Sequence, residues 1–446
     1  MRGRARRSAL AGLAAVVALL VGSGSAWATP AHPNDPGFPL QWNLAAIGAP
    51  EAWASATGQG TIIAVVDSGI DLKHEDLAGK IVGHVSCLNT NGKPDACDPA
   101  GGDDDDGHGT HVAGIAAATT DNGRGVAGVA PDARLLDVKA LQESCDVSGG
   151  CTASGNADDV AAAIAYAADH GATVINLSLG NTVQSVFGPS FSAAIEYAWG
   201  KGAIPVVAAG NDFVLPSGFG NEPAIVVGAL NRAGTRASYA NNIGDAKWAI
   251  MAPGGESDTP KTCHSKPEGV LSTYFHNGYA CLAGTSMAAP HVSGAAALLR
   301  GLGLSPQQTV DRLLGTAKQL GAPAVYGAGA LDVAAAVRAP VPPAAGDNAD
   351  ANQVTPLSNA PSPPPNNDAG NAAPAASDAS PATVPPGPPA AVGLPLGDAA
   401  GRVTANNPGD GRPIPAGLVV ADVLLASTVA CGNAWLWVRR PLSRPQ

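Results

Sequence analysis

The chain has 446 residues, a net charge of -11 and an isoelectric point near 5.2. This length can bury a large core, and the acidic balance argues against a nucleic-acid partner, because phosphate binding requires a basic surface. The sequence also lacks a P-loop and a dinucleotide-binding fingerprint, which argues against nucleotide chemistry.

The N-terminus has the features of an export signal. Residues 1–7 are basic, residues 9–21 are apolar, and Ala-Trp-Ala at residues 26–28 supplies small residues for cleavage. This arrangement is typical of a secretory signal peptide, so we predict that residues 1–28 are removed on export.

An aspartate and a histidine follow in positions that suit chemistry. Residues 61–66 form an apolar, β-branched run that leads into Asp67, which predicts a buried parallel strand with a carboxylate at its carboxyl end. His108 lies between two glycines and opens a helix of small residues. Taken alone, Asp67 could equally be a turn or capping residue.

Apolar runs and helical stretches alternate through the region that we predict to fold, residues 29–338. Such alternation predicts an α/β fold with a mostly parallel central sheet and helices on both faces. The predicted strands are 61–66, 133–138, 174–179, 204–208 and 224–229, and the predicted helices include 158–169 and 192–201. Ser-Pro-Gln-Gln at residues 305–308 predicts a capping box at the start of a late helix.

The sequence Gly-Thr-Ser-Met-Ala-Ala-Pro at residues 284–290 carries the strongest chemical signal. It sets Ser286 at a glycine-led turn directly before an apolar helix, whose N-terminus favours a developing negative charge. Serine is also a preferred N-cap residue, so this motif alone leaves a capping role open.

The order Asp67, His108, Ser286 and the motifs around these residues resemble those of the subtilases, the subtilisin-like serine peptidases. The motifs are Val-Asp-Ser-Gly-Ile at 66–70, His-Gly-Thr-His-Val-Ala-Gly at 108–114, Gly-Thr-Ser-Met-Ala-Ala-Pro at 284–290, and Ala-Ala-Gly-Asn at 208–211. The resemblance implies a subtilisin-like α/β fold and an exported serine-type endopeptidase that acts on proteins or peptides.

The resemblance also implies a role for each residue. Ser286 would attack the scissile carbonyl, His108 would act as general base and then acid, and Asp67 would orient the imidazole. The Asn211 amide and the Ser286 backbone N–H would bind the oxyanion, and the chemistry would need no cofactor. His111 and His291 lie beside the motifs, and we expect packing or hydrogen-bonding roles for both.

Substrate binding is implied by a further match to the family. Ser178, Leu179 and Gly180 would pair with an extended substrate through main-chain hydrogen bonds. The opposing family segment should lie within residues 138–160, where this chain has an insertion-like loop at 145–151.

Structural calcium is also suggested by resemblance, although no ligand set follows from the sequence. Asp76 and residues 119–125 match calcium-binding positions of some subtilases, and residues 103–106 are four consecutive carboxylates before His108. A solvated acidic loop is the alternative interpretation of residues 103–106.

Six of the seven cysteines fall within residues 29–338 and cluster as three close pairs. Because an exported protein can form disulfides, we predict pairing within each cluster; free thiols or a metal site are the alternatives. The predicted pairs are Cys87 with Cys97, Cys145 with Cys151, and Cys263 with Cys281.

The C-terminal quarter of the chain, from residue 339 on, changes in composition. Residues 339–416 are rich in Pro and Ala and poor in large apolar residues, which predicts a disordered linker. Residues 417–438 are apolar and are followed by arginines in the short tail 439–446, which predicts a transmembrane helix and a peptidase outside the cell membrane. This layout resembles that of the mycosins; a removed sorting tail or a fully secreted protein is the alternative.

Two other classes of function remain open from the sequence. A non-catalytic binding module could retain the fold, although the intact Asp, His and Ser motifs argue against it. A serine esterase is disfavoured because the Ser286 motif lacks the Gly-x-Ser-x-Gly elbow. A processing protease with few substrates is a variant of the main prediction, and the oligomeric state is not assigned.

Overall fold

A seven-stranded sheet forms the centre of the fold. The computed structural model describes residues 32–145, 151–179, 189–211, 220–257 and 268–340. The strands in these residues are β1 (Ile62–Asp67), β2 (Ile81–Ser86), β3 (Arg134–Lys139), β4 (Gln142–Cys145), β5 (Cys151–Ser154), β6 (Val174–Leu177), β7 (Ile204–Ala208), β8 (Ile225–Leu230), β9 (Trp248–Pro253), β10 (Val270–Tyr274) and β11 (Gly278–Leu282).

The strand order in the sheet is β2-β3-β1-β6-β7-β8-β9, and each neighbouring pair is parallel. The inner strands are near-continuous apolar runs because both of their faces are covered, as in other parallel sheets. Two antiparallel hairpins, β4 with β5 and β10 with β11, lie outside this sheet. The predicted mostly parallel α/β fold is confirmed.

Helices cover both faces of the sheet. They are α1 (Trp42–Ala46), α2 (Ala49–Ala52), α3 (His108–Ala117), α4 (Ala157–Asp169), α5 (Pro189–Gly200), α6 (Thr285–Gly301), α7 (Pro306–Gly315), α8 (Pro323–Tyr326) and α9 (Val333–Arg338), with short 3-10 helices at Phe38–Leu40 and Pro94–Ala96. The predicted capping box is present, because the Ser305 side chain accepts from the Gln308 N–H and the Gln308 side chain accepts from the Ser305 N–H.

Alternation along each strand divides the core into two layers. Ile63 and Val65 of β1 pack with residues of α3 and α6, whereas Ala64 and Val66 pack with residues of α4 and α5 on the other face. Because successive strand side chains point to opposite faces, one apolar run supplies both layers.

The predicted elements lie within a few residues of the observed ones. The strand predicted at 204–208 is observed at those bounds, and the strand predicted at 174–179 ends earlier, at Leu177. The prediction omitted β2, β9 and both hairpins. Strand β2 lies at the sheet edge and is mostly exposed or half-buried, so it lacks the continuous apolar run that marks the inner strands.

Two predicted cysteine pairs lie at disulfide distance. The Sγ atoms are 2.03 Å apart for Cys87 and Cys97, and 2.08 Å apart for Cys145 and Cys151. Cys281 is also disulfide-bonded, and Cys263, its predicted partner, lies outside the described residues.

The predicted location at the cell membrane is corrected by the structure. No helix in the described part of the chain is long and apolar enough to cross a bilayer. The longest of these helices, α6, has 17 residues, whereas a membrane-spanning helix needs about 20 apolar residues. The predicted segments 1–28, 417–438 and 439–446 lie outside the described residues, and the mycosin-like layout depended on the same membrane anchor.

Of the predicted linker, all but residues 339 and 340 lie outside the described residues. The linker at 339–416 therefore stays a prediction.

Helix α3 packs closely against hairpin β10–β11, and a substitution at this contact provides a test of the fold. A Cβ atom on Gly114 would collide with Thr273 Oγ1 and lie 2.5 Å from Ser272 Oγ, and both hydroxyls donate to α3 carbonyls. Overpacking costs about 1–3 kcal/mol, which exceeds the gain of about 1 kcal/mol from replacing glycine by alanine in a helix. We expect Gly114→Ala to lower the free energy of unfolding by about 1–2 kcal/mol in urea titrations.

Gly200 is the matched control for this prediction. It also lies in a helix, and a Cβ atom there would meet no described atom within 4 Å. Gly200→Ala should leave stability unchanged or raise it by a few tenths of a kcal/mol. Equal effects of the two substitutions would contradict the close packing of α3.

Candidate active site

The candidate residues lie at the carboxyl end of the sheet. Strand β1 ends at Asp67, Ser178 follows β6, and Asn211 follows β7, and these three strands are neighbours. The chain continues from β1 to strands on one side of the sheet and from β6 to strands on the other. Ligand sites of open parallel sheets are found at such a switch point, beyond the carboxyl ends of the strands.

A buried hydrogen bond joins the aspartate and the histidine. His108 Nδ1 donates to Asp67 Oδ1 at 2.7 Å, and the N–H of Ser68 donates to the same oxygen at 2.8 Å. Asp67 is fully buried and His108 is 6% exposed. Because Nδ1 carries the proton in this bond, Nε2 of a neutral His108 is the basic nitrogen.

The acidic segment 103–106 caps the helix that begins at His108. The carboxylate of Asp104 accepts backbone N–H groups of Asp106, Gly107 and Thr110, as well as the Thr110 hydroxyl. Ser68 Oγ donates to Asp104 Oδ1 at 2.9 Å and accepts from the Gly109 N–H at 3.0 Å. Carboxylates are favourable at a helix N-terminus, so this segment helps to place His108.

Asp106 is the residue of this acidic segment that contacts His108 directly. Its Oδ1 accepts the His108 backbone N–H at 3.1 Å. Burial raises the pKa of Asp106 to about 6, and the histidine charge acts in the opposite direction. Asp106 therefore stays largely protonated in mildly acidic solution.

Pro290 shapes the turn that carries Ser286. Proline has no N–H, so the Ser286 carbonyl, four residues earlier, has no donor at that position of helix α6. The Ser178 hydroxyl donates to this carbonyl at 2.8 Å, and Ser286 Oγ donates to the Ser178 carbonyl at 3.5 Å. These contacts tie the start of α6 to the end of β6.

A buried polar chain supports Ser178, and the sequence reading missed it. Ser293 Oγ donates to Asn176 Oδ1 at 2.7 Å, and Asn176 Nδ2 donates to Ser178 Oγ at 2.9 Å. All three side chains are fully buried. Two features of the sequence could have indicated this chain of hydrogen bonds: the polar Asn176 inside an otherwise apolar strand, and Ser293 one turn after Pro290.

Asn211 is oriented by the residue before Ser286. The N–H and hydroxyl of Thr285 both donate to Asn211 Oδ1 at 2.9 Å, which turns the amide nitrogen away from Thr285. A Cβ atom built on Gly284 would lie 3.5 Å from Asn211 Nδ2 and 3.6 Å from the Ser286 nitrogen. Two N–H groups thus border one small space beside Gly284.

Two of the three predicted substrate-binding residues lie within the described residues. Ser178 is fully buried, Leu179 is 3% exposed, and Gly180 lies outside the described residues. On the opposing side, hairpin β4–β5 flanks the predicted insertion at 145–151, of which residues 146–150 lie outside the described residues, and β4 is exposed along its whole length.

His111 and His291 have the packing roles expected of them. Nε2 of His111 contacts the carbonyl oxygens of Val270 and Ala280 at 3.1 and 3.0 Å, and burial lowers its pKa to about 3. His291 is bonded to Asn43 and to the Met287 carbonyl, and burial lowers its pKa to about 4.

The calcium candidates divide into two groups. Residues 103–106 cap α3, as described above. Asp76 is fully buried, and Asp35 is 2% exposed. Asp35 was not among the residues predicted from the sequence. Burial, with the charges of Asp76 and Asp121, raises the pKa of Asp35. Two buried carboxylates of like charge fit a bound cation, because its charge would offset their repulsion.

The assembled groups suit acyl transfer by a serine. The geometry brings Asp67 to His108, and it brings Ser286 to Ser178 and, across Gly284, to Asn211. A buried histidine paired with an aspartate, a hydroxyl in the first turn of a helix and two nitrogens beside one small space are groups of the kind that serine hydrolysis uses.

Comparison with known proteins agrees with this chemistry. The model of the subtilase family matches residues 58–329. Thermitase from Thermoactinomyces vulgaris is 38% identical over 292 residues, which cover 64% of this chain and 93% of thermitase. Subtilisin DY from Bacillus licheniformis is 37% identical over 300 residues, which cover 63% of this chain and 92% of that protein.

A solved structure of a protease from Pseudoalteromonas arctica PAMC 21717 is also similar. Its TM-score is 0.56 and its identity 30%, with 69% of this chain and 99% of that chain covered. Fold and comparisons together define a serine-type endopeptidase with a subtilisin-like α/β architecture. The chain belongs to the subtilase family.

The space beside Gly284 gives a prediction for catalysis. A Cβ atom there meets its neighbours at ordinary contact distances of 3.5–3.6 Å, so Gly284→Ala should fold. The methyl group would fill the space between the two N–H donors, and we expect kcat to fall about 100-fold or more, as when one oxyanion donor is lost. Unchanged kcat in a peptide assay would show that no oxyanion occupies this space.

The raised pKa of Asp106 predicts a pH dependence of stability. Its pKa rises from 3.8 to about 6 on folding, so the folded state holds the proton longer than the unfolded state. Stability should therefore fall as pH rises from about 4 to about 6, by about 3 kcal/mol from this group. Asp106→Asn should remove that fall in urea titrations over this range; parallel curves for variant and wild type would contradict it.

Proposed function

We propose that this chain is an exported subtilase that hydrolyses peptide bonds through Asp67, His108 and Ser286 and an acyl-enzyme intermediate. The observation that carries the proposal is the buried His108–Asp67 hydrogen bond, in a chain that also has Ser286 in the first turn of helix α6. The signal-like residues 1–28 and the cysteine pairs at disulfide distance support export.

The proton path follows from the tautomer of His108. Nδ1–H is donated to Asp67, so Nε2 accepts the Ser286 proton as Oγ attacks the scissile carbonyl. Asp67 stabilises the imidazolium that forms, and the proton then passes to the leaving amine. In the second half of the reaction, water attacks the acyl-enzyme while His108 accepts its proton. His108 then returns a proton to Ser286 Oγ as the acyl product is released.

The tetrahedral intermediate carries a negative charge on its oxygen. We place that oxygen beside Gly284, where Asn211 Nδ2 and the Ser286 N–H would donate to it. Thr285 already fixes the Asn211 amide, so little reorganisation accompanies the reaction.

Proteins or peptides are the substrates of the family, and an extended substrate strand is the form that main-chain pairing would bind. The main chain of Ser178, Leu179 and Gly180 would pair with it on one side. The Ser178 hydroxyl is used internally, toward Ser286, so only its backbone groups are assigned to substrate.

We also propose that Asp35 and Asp76 supply carboxylate ligands to a structural calcium ion. The ion would stabilise the contact between the start of the described chain and loop 119–125, and it would take no part in the chemistry.

The proposed function is tested with a fluorophosphonate probe on the purified mature chain. We expect mass spectrometry to find the label on Ser286, and we expect Ser286→Ala to abolish both labelling and peptide cleavage. Asn211→Ala should keep the label but lower kcat about 100- to 1000-fold. Ser305→Ala, which removes a distant capping serine, is the control and should leave kcat unchanged.

Each alternative has its own result in this experiment. Absence of labelling in a folded sample, with retained peptide binding, would favour a binding module. Ester cleavage without peptide cleavage would favour an esterase. Cleavage of few proteins and indifference to casein would indicate a processing protease within the same class.

The calcium proposal predicts a metal-dependent melting temperature. Calcium at 100 times its dissociation constant should stabilise the fold by about 2.7 kcal/mol relative to excess chelator. Asp76→Asn should remove most of this difference, whereas Asp98→Asn, at an exposed position, should preserve it. Equal melting temperatures with calcium and chelator would refute the site.

A further inference from the structure

Lys139 is a buried cation beside the candidate aspartate. It ends strand β3, and its register partner on β1 is Asp67. The lysine side chain is only 9% exposed. Burying an ammonium group is unfavourable unless it is paired with an opposite charge or hydrogen-bond acceptors. The contacts of Lys139 therefore supply the compensation for its burial.

The two contacts of Lys139 lie on the two sides of the Asp67–His108 pair. Nζ donates to the carbonyl of Ser68, the residue after Asp67, and to Asp105 Oδ1 at 2.7 Å. The Ser68 N–H in turn holds Asp67 Oδ1. Asp105 belongs to the segment that caps the helix of His108. One side chain thus connects the strand of the aspartate to the helix of the histidine.

Asp105 extends this connection to hairpin β4–β5. Its Oδ1 also accepts the N–H of Glu143, the second residue of hairpin β4–β5. The carboxylate is 46% exposed, so the pair with Lys139 is buried at one end and accessible at the other. A displacement of Lys139 or Asp105 would therefore disturb the contact with Ser68 and the position of the capping segment.

The charge of Lys139 also matters, because carboxylates surround it. Asp105 is its ion-pair partner, Asp67 is its register partner on β1, and Asp137 lies two residues earlier on β3. The titratable groups that act on His108 are Asp67, which accepts from its imidazole, Asp106, which accepts its backbone N–H, and His111. Burial raises the pKa of Asp137 well above its usual range, and the Lys139 charge acts in the opposite direction. Without Lys139, His108 would experience a more negative surrounding.

We propose that Lys139 and Asp105 are a positioning pair that holds Asp67 and His108 in register for proton transfer. The proposal rests on the proposed function, because it concerns the same proton path. Neither residue touches the reacting atoms; both act through Ser68 and the capping segment.

The experiment measures kcat, KM and their pH dependence on a peptide substrate. Lys139→Met should lower kcat/KM about 10- to 100-fold, mainly through kcat, as small misplacements of catalytic groups do. Loss of the positive charge should raise the pKa of His108 and move the acidic limb of kcat/KM to higher pH. Lys139→Arg, which keeps the charge and the donors, should recover most of the rate.

Asp105→Ala is the second variant, and its partial exposure makes misfolding a small concern. It should also lower kcat, but the loss of a negative charge should move the acidic limb to lower pH. The double variant with Lys139→Met should be no slower than the slower single variant, because residues that act as a unit are not additive.

Lys80 is the matched control. It is 7% exposed, and its Nζ donates to the carbonyl of Pro131. Lys80 directly precedes β2, so it lies at the end of the sheet opposite to the candidate site. Lys80→Met should lower stability but leave the acidic limb in place. The proposal is overturned if Lys139→Met leaves kcat and the acidic limb unchanged, or if Lys80→Met moves the limb equally. Failure of the proposed function would be recognised separately, by absence of fluorophosphonate labelling in the wild type.

Discussion

The hydrogen bond between His108 and Asp67 requires helix α3 to begin almost in contact with the end of β1, and two glycines make this approach possible. A Cβ atom on Gly109 would collide with the Gly69 carbonyl and lie 3.1 Å from Asp67 Cβ. Gly107 has φ of 101°, and a Cβ atom there would lie 2.6 Å from the Tyr274 ring. The glycines that flank His108 therefore determine where the imidazole sits, and the rest of the site is arranged around it.

The same approach brings several carboxylates together in a region with little water. The structure offsets their repulsion with donors: Asp104 accepts backbone and hydroxyl groups at the N-terminus of α3, and Asp105 pairs with Lys139. Burial nevertheless raises the pKa of Asp104, and it also holds Asp106 and Asp137 toward the protonated form. The carboxylates thus act in two ways, as caps that position His108 and as groups whose protonation links stability to pH.

The serine side of the site depends on a defect in a helix. Pro290 removes one hydrogen bond from α6, and the Ser286 carbonyl that loses its donor is bonded by Ser178 on the neighbouring strand. The buried chain through Asn176 to Ser293 fixes Ser178 in turn. A polar chain with every member satisfied is rigid, and rigid support of this kind lets a site stabilise a transition state without reorganising.

The sequence by itself determined the α/β architecture, since short apolar runs suited to strands covered on both faces alternate with helical stretches. It also determined the order of Asp67, His108 and Ser286, because short motifs with glycines at fixed positions survive as local patterns. Tertiary structure alone decided how Lys139 contacts Asp105 and how Ser293 supports Asn176, since these contacts join residues 34 and 117 positions apart. Such pairings leave no local periodicity. The predicted membrane location was wrong because it rested on the apolarity of one segment, whereas the described helices are too short to cross a bilayer. Edge strand β2 and hairpin strand β4 were missed because their residues are mostly exposed or half-buried and therefore form no continuous apolar run.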